Sequence, residues 1–184
     1  MMKRSFAVLA CLGLGTLVSA HPHFNKTITA DLPGGVQAVV TYNTTPSNEG
    51  RATSAPVGIF TSPRNPKLKL SADLKAGDKV VAPAGEYVIG VVKNSDTDWT
   101  MALYNGTIAR GAQPDPTKVI KLESIFESKI APADHMLIDI TPGHGKFERR
   151  AVLTLHFGTL FLSGSLSAPE PAAAAPAAPA PYIE

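Results

Sequence analysis

The sequence predicts an all-β fold: an antiparallel β-sandwich, jelly-roll-like or immunoglobulin-like, with about eight or nine strands and little helix. Short runs of β-branched or alternating apolar residues recur along the chain. Pro, Gly, Asn and Asp separate these runs at short intervals, which is typical of antiparallel strands joined by turns. Residues 21–167 are long enough to form one domain with a single hydrophobic core.

The first predicted strands, residues 24–30 and 36–42, flank a Leu-Pro-Gly-Gly sequence that suits a hairpin turn. Residues 46–66 are predicted to be irregular, because prolines and glycines interrupt them repeatedly. Short strands are expected to follow at residues 67–72, where apolar and polar positions alternate, and at residues 79–82.

The clearest hairpin is predicted from residues 87–93 and 99–104. It is closed by the turn-forming sequence Asn-Ser-Asp-Thr-Asp. Pro83 presets a turn before it and Gly85 permits a positive φ. Tyr87 and Trp99 are expected to pack into the core as cross-strand aromatic residues.

The remaining strands are predicted from the C-terminal half of the body. The spacing of the apolar residues in 117–129 fits one face of a helix as well as one face of a strand. We interpret these residues as a strand followed by a loop. Residues 135–140 alternate as a strand does, and a Thr-Pro-Gly-His-Gly turn follows them. Residues 149–157 and 160–166 are expected to form a final hairpin.

Both ends of the chain differ from this body. Residues 1–20 have a basic start, an apolar stretch and small residues before position 21, which predicts a signal peptide cleaved after Ala20. We therefore expect an exported, periplasmic or extracellular protein with no transmembrane segment after processing. Cys11 lies within the signal, so the mature chain would hold no thiol. Residues 168–184 are mostly Ala and Pro, which predicts a disordered tail.

Charge excludes one large class of partner. Removing Lys3 and Arg4 from the 17 basic residues leaves 15, which equals the number of acidic residues. A neutral mature chain with no Lys/Arg-rich run lacks the basic face of a nucleic-acid-binding protein. We therefore expect the partner to be an unidentified ligand or a component of the cell envelope. The oligomeric state stays open.

The second hairpin also carries a resemblance. Ala-Pro-Ala-Gly-Glu-Tyr at residues 82–87, Asp-Trp-Thr at 98–100 and Leu-Thr-Leu-His-Phe-Gly at 153–158 resemble the secreted bacterial family called domain of unknown function 2911. The similarity covers roughly residues 68–166 and implies an exported all-β domain without an assigned activity. It supplies no catalytic residues. Residues 49–66 depart from the family's pattern, so a ligand site built from them would be absent or different here.

The mature N-terminus suggests a metal site. Cleavage after Ala20 would leave His21 with a free α-amine, and the amine and ring nitrogen of an N-terminal histidine can chelate copper. This arrangement resembles the histidine brace of copper-dependent polysaccharide oxygenases. A second imidazole would come from another histidine, and the candidates that we retain are His23, His135 and His144. His156 is a weaker candidate. In a strand it would lie on the same face as Val152 and Thr154, opposite to the face that carries Leu153 and Leu155.

Other catalytic chemistry finds little support in the sequence. There is no Gly-x-Ser-x-Gly motif, and without a mature cysteine there is no thiol nucleophile. The leading hypothesis is therefore an exported binding or envelope-interaction module without enzymatic activity, which could bind copper through His21. The alternatives are a copper-dependent oxidase or oxygenase with a histidine brace, and a purely structural envelope protein.

Overall fold

The computed structural model describes residues 23–32, 34–76, 79–128, 130–148 and 150–166. These residues form an antiparallel all-β sandwich with almost no helix, which confirms the predicted fold class. The predicted signal peptide, His21 and the Ala/Pro-rich tail lie outside the described residues. No helix in the described part of the chain is long and apolar enough to cross a membrane.

Thirteen strands and one short α-helix follow one another along the described chain, with single 3-10 turns at Pro116–Lys118 and Gly145–Phe147. In chain order they are β1 (Asn25–Leu32), β2 (Val36–Asn43), α1 (Glu49–Thr53), β3 (Phe60–Thr61), β4 (Lys67–Leu70), β5 (Leu74–Ala76), β6 (Lys79–Ala82), β7 (Gly85–Ser95), β8 (Asp98–Asn105), β9 (Val119–Lys121), β10 (Ser124–Glu127), β11 (Ala133–Pro142), β12 (Ala151–Gly158) and β13 (Leu160–Ser165).

The strands form two facing sheets and a small ribbon. The first sheet has the order β1-β2-β4-β7-β8-β9. The short strand β3 pairs with Val91 and Val92 of β7, further along β7 than the residues that pair with β4. The second sheet has the order β10-β13-β12-β11, and β5 pairs with β6. Alternate residues of both sheets point inward and form the main core, as the period of two in a strand requires.

The number of strands exceeds the eight or nine that we predicted. The additional strands include β3 and β5, which have two and three residues. Such short pairings depend on the neighbouring strand more than on local sequence, so periodicity cannot find them. Residues 117–129 also differ from prediction, because β9 pairs with the first sheet and β10 with the second. Buried Leu122, whose N–H donates to the Met101 carbonyl, lies where the chain changes sheets.

The β7–β8 hairpin is confirmed, with one correction to its aromatic residues. Tyr87 and Trp99 are both buried, but they lie at opposite ends of the hairpin, where Tyr87 faces Asn105 and Trp99 faces Lys93. The Tyr87 hydroxyl donates to the Pro83 carbonyl at 2.5 Å. Burial raises the pKa of the Tyr87 phenol, with a smaller contribution from the carboxylate of Asp73. Each aromatic residue therefore packs in a different part of the core.

A second, smaller apolar cluster lies on the outer face of the first sheet. It contains Phe60, Val88, Val92, Ala102 and Tyr104. The Phe60 ring crosses β7 directly over Gly90, where a Cβ atom would lie 2.4 Å from the ring and 2.5 Å from the Thr61 carbonyl oxygen. Gly90 is therefore required for β3 to lie against this face.

Candidate functional site

The candidate site is a cavity of about 440 Å³ between the two sheets. Its floor is apolar and comes from the inward face of both sheets. The first sheet contributes Val91 and Trp99, and the second contributes Leu155, Phe157, Leu160 and Leu162. This volume is within the range of small-molecule sites, and an apolar floor with a polar rim is their usual composition.

The cavity begins where the close contact between the sheets ends. At Gly164 a Cβ atom would lie 2.8 Å from the Met101 side chain, so the absence of a side chain lets the sheets approach there. Leu162 and Trp99 lie two residues away along β13 and β8, on the same inward faces. Both line the cavity. The sheets are therefore closely packed at Gly164, and the pocket opens two residues further along the strands.

The segment from Thr45 to Pro56, which includes α1, contributes one wall of the cavity. Asn48 caps this short helix by accepting a hydrogen bond from the Arg51 N–H at 2.9 Å. The Glu49 carboxylate accepts from the Thr159 N–H at 3.1 Å, in the turn between β12 and β13. The Ser47 hydroxyl accepts from the Gly158 N–H at 2.9 Å. These bonds fix the start of the helix to the second sheet.

Lys93 fixes the other end of the helix to the first sheet. This lysine is only 6% exposed, and its ammonium donates to the Thr53 carbonyl at 2.7 Å. The ammonium also pairs with Asp96 at 2.7 Å and lies 5.7 Å from the centre of the Trp99 ring. The hydrogen bond from Lys93 and its charge lower the pKa of Asp96. Thus α1 bridges the two sheets beside the cavity.

Replacing Lys93 by methionine tests this bridge, because it keeps the apolar stem and removes the ammonium. We expect the amide hydrogens of Ala52 and Ser54 to exchange about tenfold faster, since a hydrogen bond to a charged group contributes about 1.5 kcal/mol or more. The free energy of global unfolding should fall by a similar amount, about 1–2 kcal/mol, because the Thr53 carbonyl loses its charged donor while the packing of the stem is kept. Hydrogen exchange measured by NMR checks this.

The matched control is Lys69→Met in β4, where the lysine is exposed. The control should leave exchange in α1 unchanged. Equal exchange of Ala52 and Ser54 in the Lys93 variant and the parent chain would show that Lys93 does not restrain the helix.

In the described part of the chain, two arginines are the charged residues that line the cavity. Arg51 belongs to α1 and Arg64 to the loop between β3 and β4, and both side chains are exposed at the rim. Within the described ranges, neither guanidinium has a hydrogen-bond acceptor or a carboxylate partner. No acidic residue of the described chain lines the cavity. The rim is therefore positively charged.

The loop that carries Arg64 has an unusual backbone. Arg64 and Asn65 have φ values of 62° and 49°, in the left-handed region that non-glycine residues seldom adopt. Hydrogen bonds with β7 hold the loop on both sides of these residues. The Ser62 hydroxyl donates to the Ile89 carbonyl at 2.7 Å, and the Ile89 N–H donates to the Pro66 carbonyl at 2.8 Å. Strain of about 1–2 kcal/mol is thus retained at the rim.

The histidines that were predicted from the sequence as copper ligands do not form one cluster in the described part of the chain. His21 lies outside the described residues. The Nδ1 atom of His23 donates to the Thr44 carbonyl at 2.9 Å. His135 pairs with Pro46 in an isolated bridge, so it lies at the same end of the molecule as Thr44. Among the described residues, no group of three His, Cys, Asp or Glu side chains could hold a metal ion.

His144 lies far from these residues. The structure places His135 and His144 at opposite ends of β11, because the strand continues through Pro142, so the two do not share one edge of the sandwich. At about 3.3 Å per residue, their backbones are more than about 20 Å apart. His156 faces outward, with its ring edge-on to Phe161 at a centroid distance of 5.5 Å.

Comparisons with known proteins add no relative. No protein-family model, no curated protein and no solved structure matches this chain. The resemblance to domain of unknown function 2911 therefore stays a prediction.

The sequence did not predict the cavity. Its rim comes from residues 45–64, which the sequence predicted only as an irregular segment. The available signal was that prolines and polar residues are concentrated there, between strands that must pack together. Loops placed on a rigid scaffold often carry binding residues, but the position of this loop over the gap is a tertiary property.

Proposed function

We propose that this chain is an exported binding module whose ligand site is the cavity between the sheets. The observation that carries the proposal is a pocket of about 440 Å³ with an apolar floor from both sheets. A ligand with an apolar body would gain free energy by leaving water for this floor, at roughly 25 cal/mol per Å² of apolar surface. No catalytic residues are assigned, so the proposal is binding without chemistry.

The wall of the cavity supports a preformed site. Helix α1 is bonded to the second sheet through Glu49 and to the first through Lys93. A wall that is already ordered avoids much of the entropy cost of ordering on binding. A purely structural envelope protein, the alternative, does not require an apolar cavity beside an ordered wall.

The proposal is tested by titrating the processed chain with decanol, a neutral molecule with a flexible apolar body. Trp99 is the single tryptophan of the chain and lines the cavity, so its fluorescence reports on the site without labelling. We expect a saturable change with one molecule bound per chain. Emission that stays constant up to the solubility limit of decanol, together with no heat of binding, would contradict the proposal.

Copper binding at the mature N-terminus is the second candidate function, and the geometry of His23 favours it. Because the Thr44 carbonyl can only accept, Nδ1 of His23 carries the proton and Nε2 of the neutral ring keeps its lone pair. Metal-binding histidines commonly have this arrangement. His135 would be nearer to such a site than His144.

The test of the copper site is titration with Cu(II), followed by paramagnetic resonance, of the chain that begins at His21. Tight binding should be lost when one residue is added before His21, because the free amine is then displaced. Equal, weak binding by both chains would exclude the N-terminal site and, with it, an oxidase or oxygenase built on a histidine brace.

A further inference from the structure

The charges at the rim indicate which ligands the cavity would select, an inference that rests on the proposed binding function. Every charged side chain that lines the cavity in the described part of the chain is an arginine, Arg51 or Arg64. They come from two separate segments, α1 and the loop between β3 and β4. The apolar floor lies inside this charged rim.

We propose that the cavity binds amphiphilic monocarboxylates, with the apolar chain on the floor and the carboxylate at the rim between Arg51 and Arg64. A guanidinium presents a planar set of N–H donors that matches the two oxygens of a carboxylate. Neither arginine has an acceptor among the described residues, so no internal ion pair has to be broken when the ligand binds.

The neighbouring charged groups are already occupied. The carboxylate of Glu49, the acidic residue of α1, accepts from the Thr159 N–H. The ammonium of Lys93 is bonded to the Thr53 carbonyl and to Asp96. Among the described residues that line this mouth of the sandwich, the arginines are therefore the charged groups available to bind an anion.

The backbone at Arg64 is a second, independent observation. A left-handed φ of 62° is unfavourable for arginine, whereas glycine or asparagine would accept it. Strained residues are concentrated at ligand-binding positions, where the side chain is needed despite its cost to stability. In the proposed site, the bond between the Arg64 guanidinium and the ligand carboxylate would offset this cost.

Calorimetry with decanoate and decanol tests the inference, because the two ligands share an apolar chain and differ in the charged group. We expect the parent chain to bind decanoate about five- to tenfold more tightly than decanol. Arg51→Gln and Arg64→Gln should each lower the affinity for decanoate about threefold, and the double variant should abolish the preference. The affinity for decanol should be unchanged. Arg110→Gln, an exposed arginine that does not line the cavity, is the control.

The outcomes separate this inference from the proposed function. Equal binding of decanoate and decanol by the parent chain would overturn the role of the arginines and leave an apolar binding site. Binding of neither ligand would overturn the proposed function itself. A preference for decanoate that survives in the double variant would place the carboxylate elsewhere and overturn the assignment to Arg51 and Arg64.

Discussion

Replacing Gly90 by alanine is expected to lower the free energy of unfolding by about 2–3 kcal/mol. The added Cβ atom would lie 2.4 Å from the Phe60 ring and 2.5 Å from the Thr61 carbonyl oxygen. Neither neighbour can yield easily, because the ring packs in the outer cluster with Tyr104 and the carbonyl belongs to the backbone of β3. Overpacking of this kind typically costs about 1–3 kcal/mol.

Urea denaturation checks this expectation, and Gly50→Ala provides a matched control. Gly50 lies in α1, and a Cβ atom there would meet only the Asn48 side chain, at an ordinary contact distance of 3.5 Å. Alanine is the better helix former, so the control should be neutral or stabilising by up to about 1 kcal/mol. A Gly90 variant within about 0.5 kcal/mol of the parent would show that β3 does not lie over this residue as described.

Filling the cavity is expected to have the largest effect on binding. Leu160 is half-buried on the inward face of β13 and lines the pocket. A tryptophan in its place would occupy space that the ligand needs, so we expect the affinity for decanol to fall at least about tenfold. The fold should persist, because the larger side chain enters a gap and not a filled core.

Leu137→Trp is the control for this substitution. Leu137 is 44% exposed on the outer face of the second sheet and does not line the cavity between the sheets. Calorimetry is the suitable measurement, since both variants add a second tryptophan to the fluorescence signal. Unchanged decanol affinity in the Leu160 variant, with a stability close to that of the parent, would place the ligand outside the cavity.

The parts of the fold that the sequence predicted are those set by local chemistry. The β1–β2 hairpin follows from its turn, where Gly34 and Gly35 adopt φ values of 85° and 76°. The β7–β8 and β12–β13 hairpins follow from alternation between close turn signals. In each case strands adjacent in sequence are also adjacent in the sheet, so no long-range information was needed.

The parts that the sequence did not predict depend on contacts between distant segments. Strand β3 exists because Phe60 and Thr61 pair with Val92 and Val91, about thirty positions later. The cavity depends on how far the sheets are held apart beyond Gly164, and no periodicity records that distance. The isolated bridge from Pro46 to His135, which distinguishes His135 from His144, is likewise a tertiary contact.

The central claim is that the space beside Trp99 binds a small apolar molecule. The most direct measurement is quenching of Trp99 fluorescence by decanol that carries bromine at the end of its chain, because bromine quenches tryptophan only at close range. We predict saturable quenching at the same concentrations at which unmodified decanol binds, and its reversal when unmodified decanol is added in excess. Quenching that rises linearly without saturation, as for a quencher free in solution, would contradict the claim.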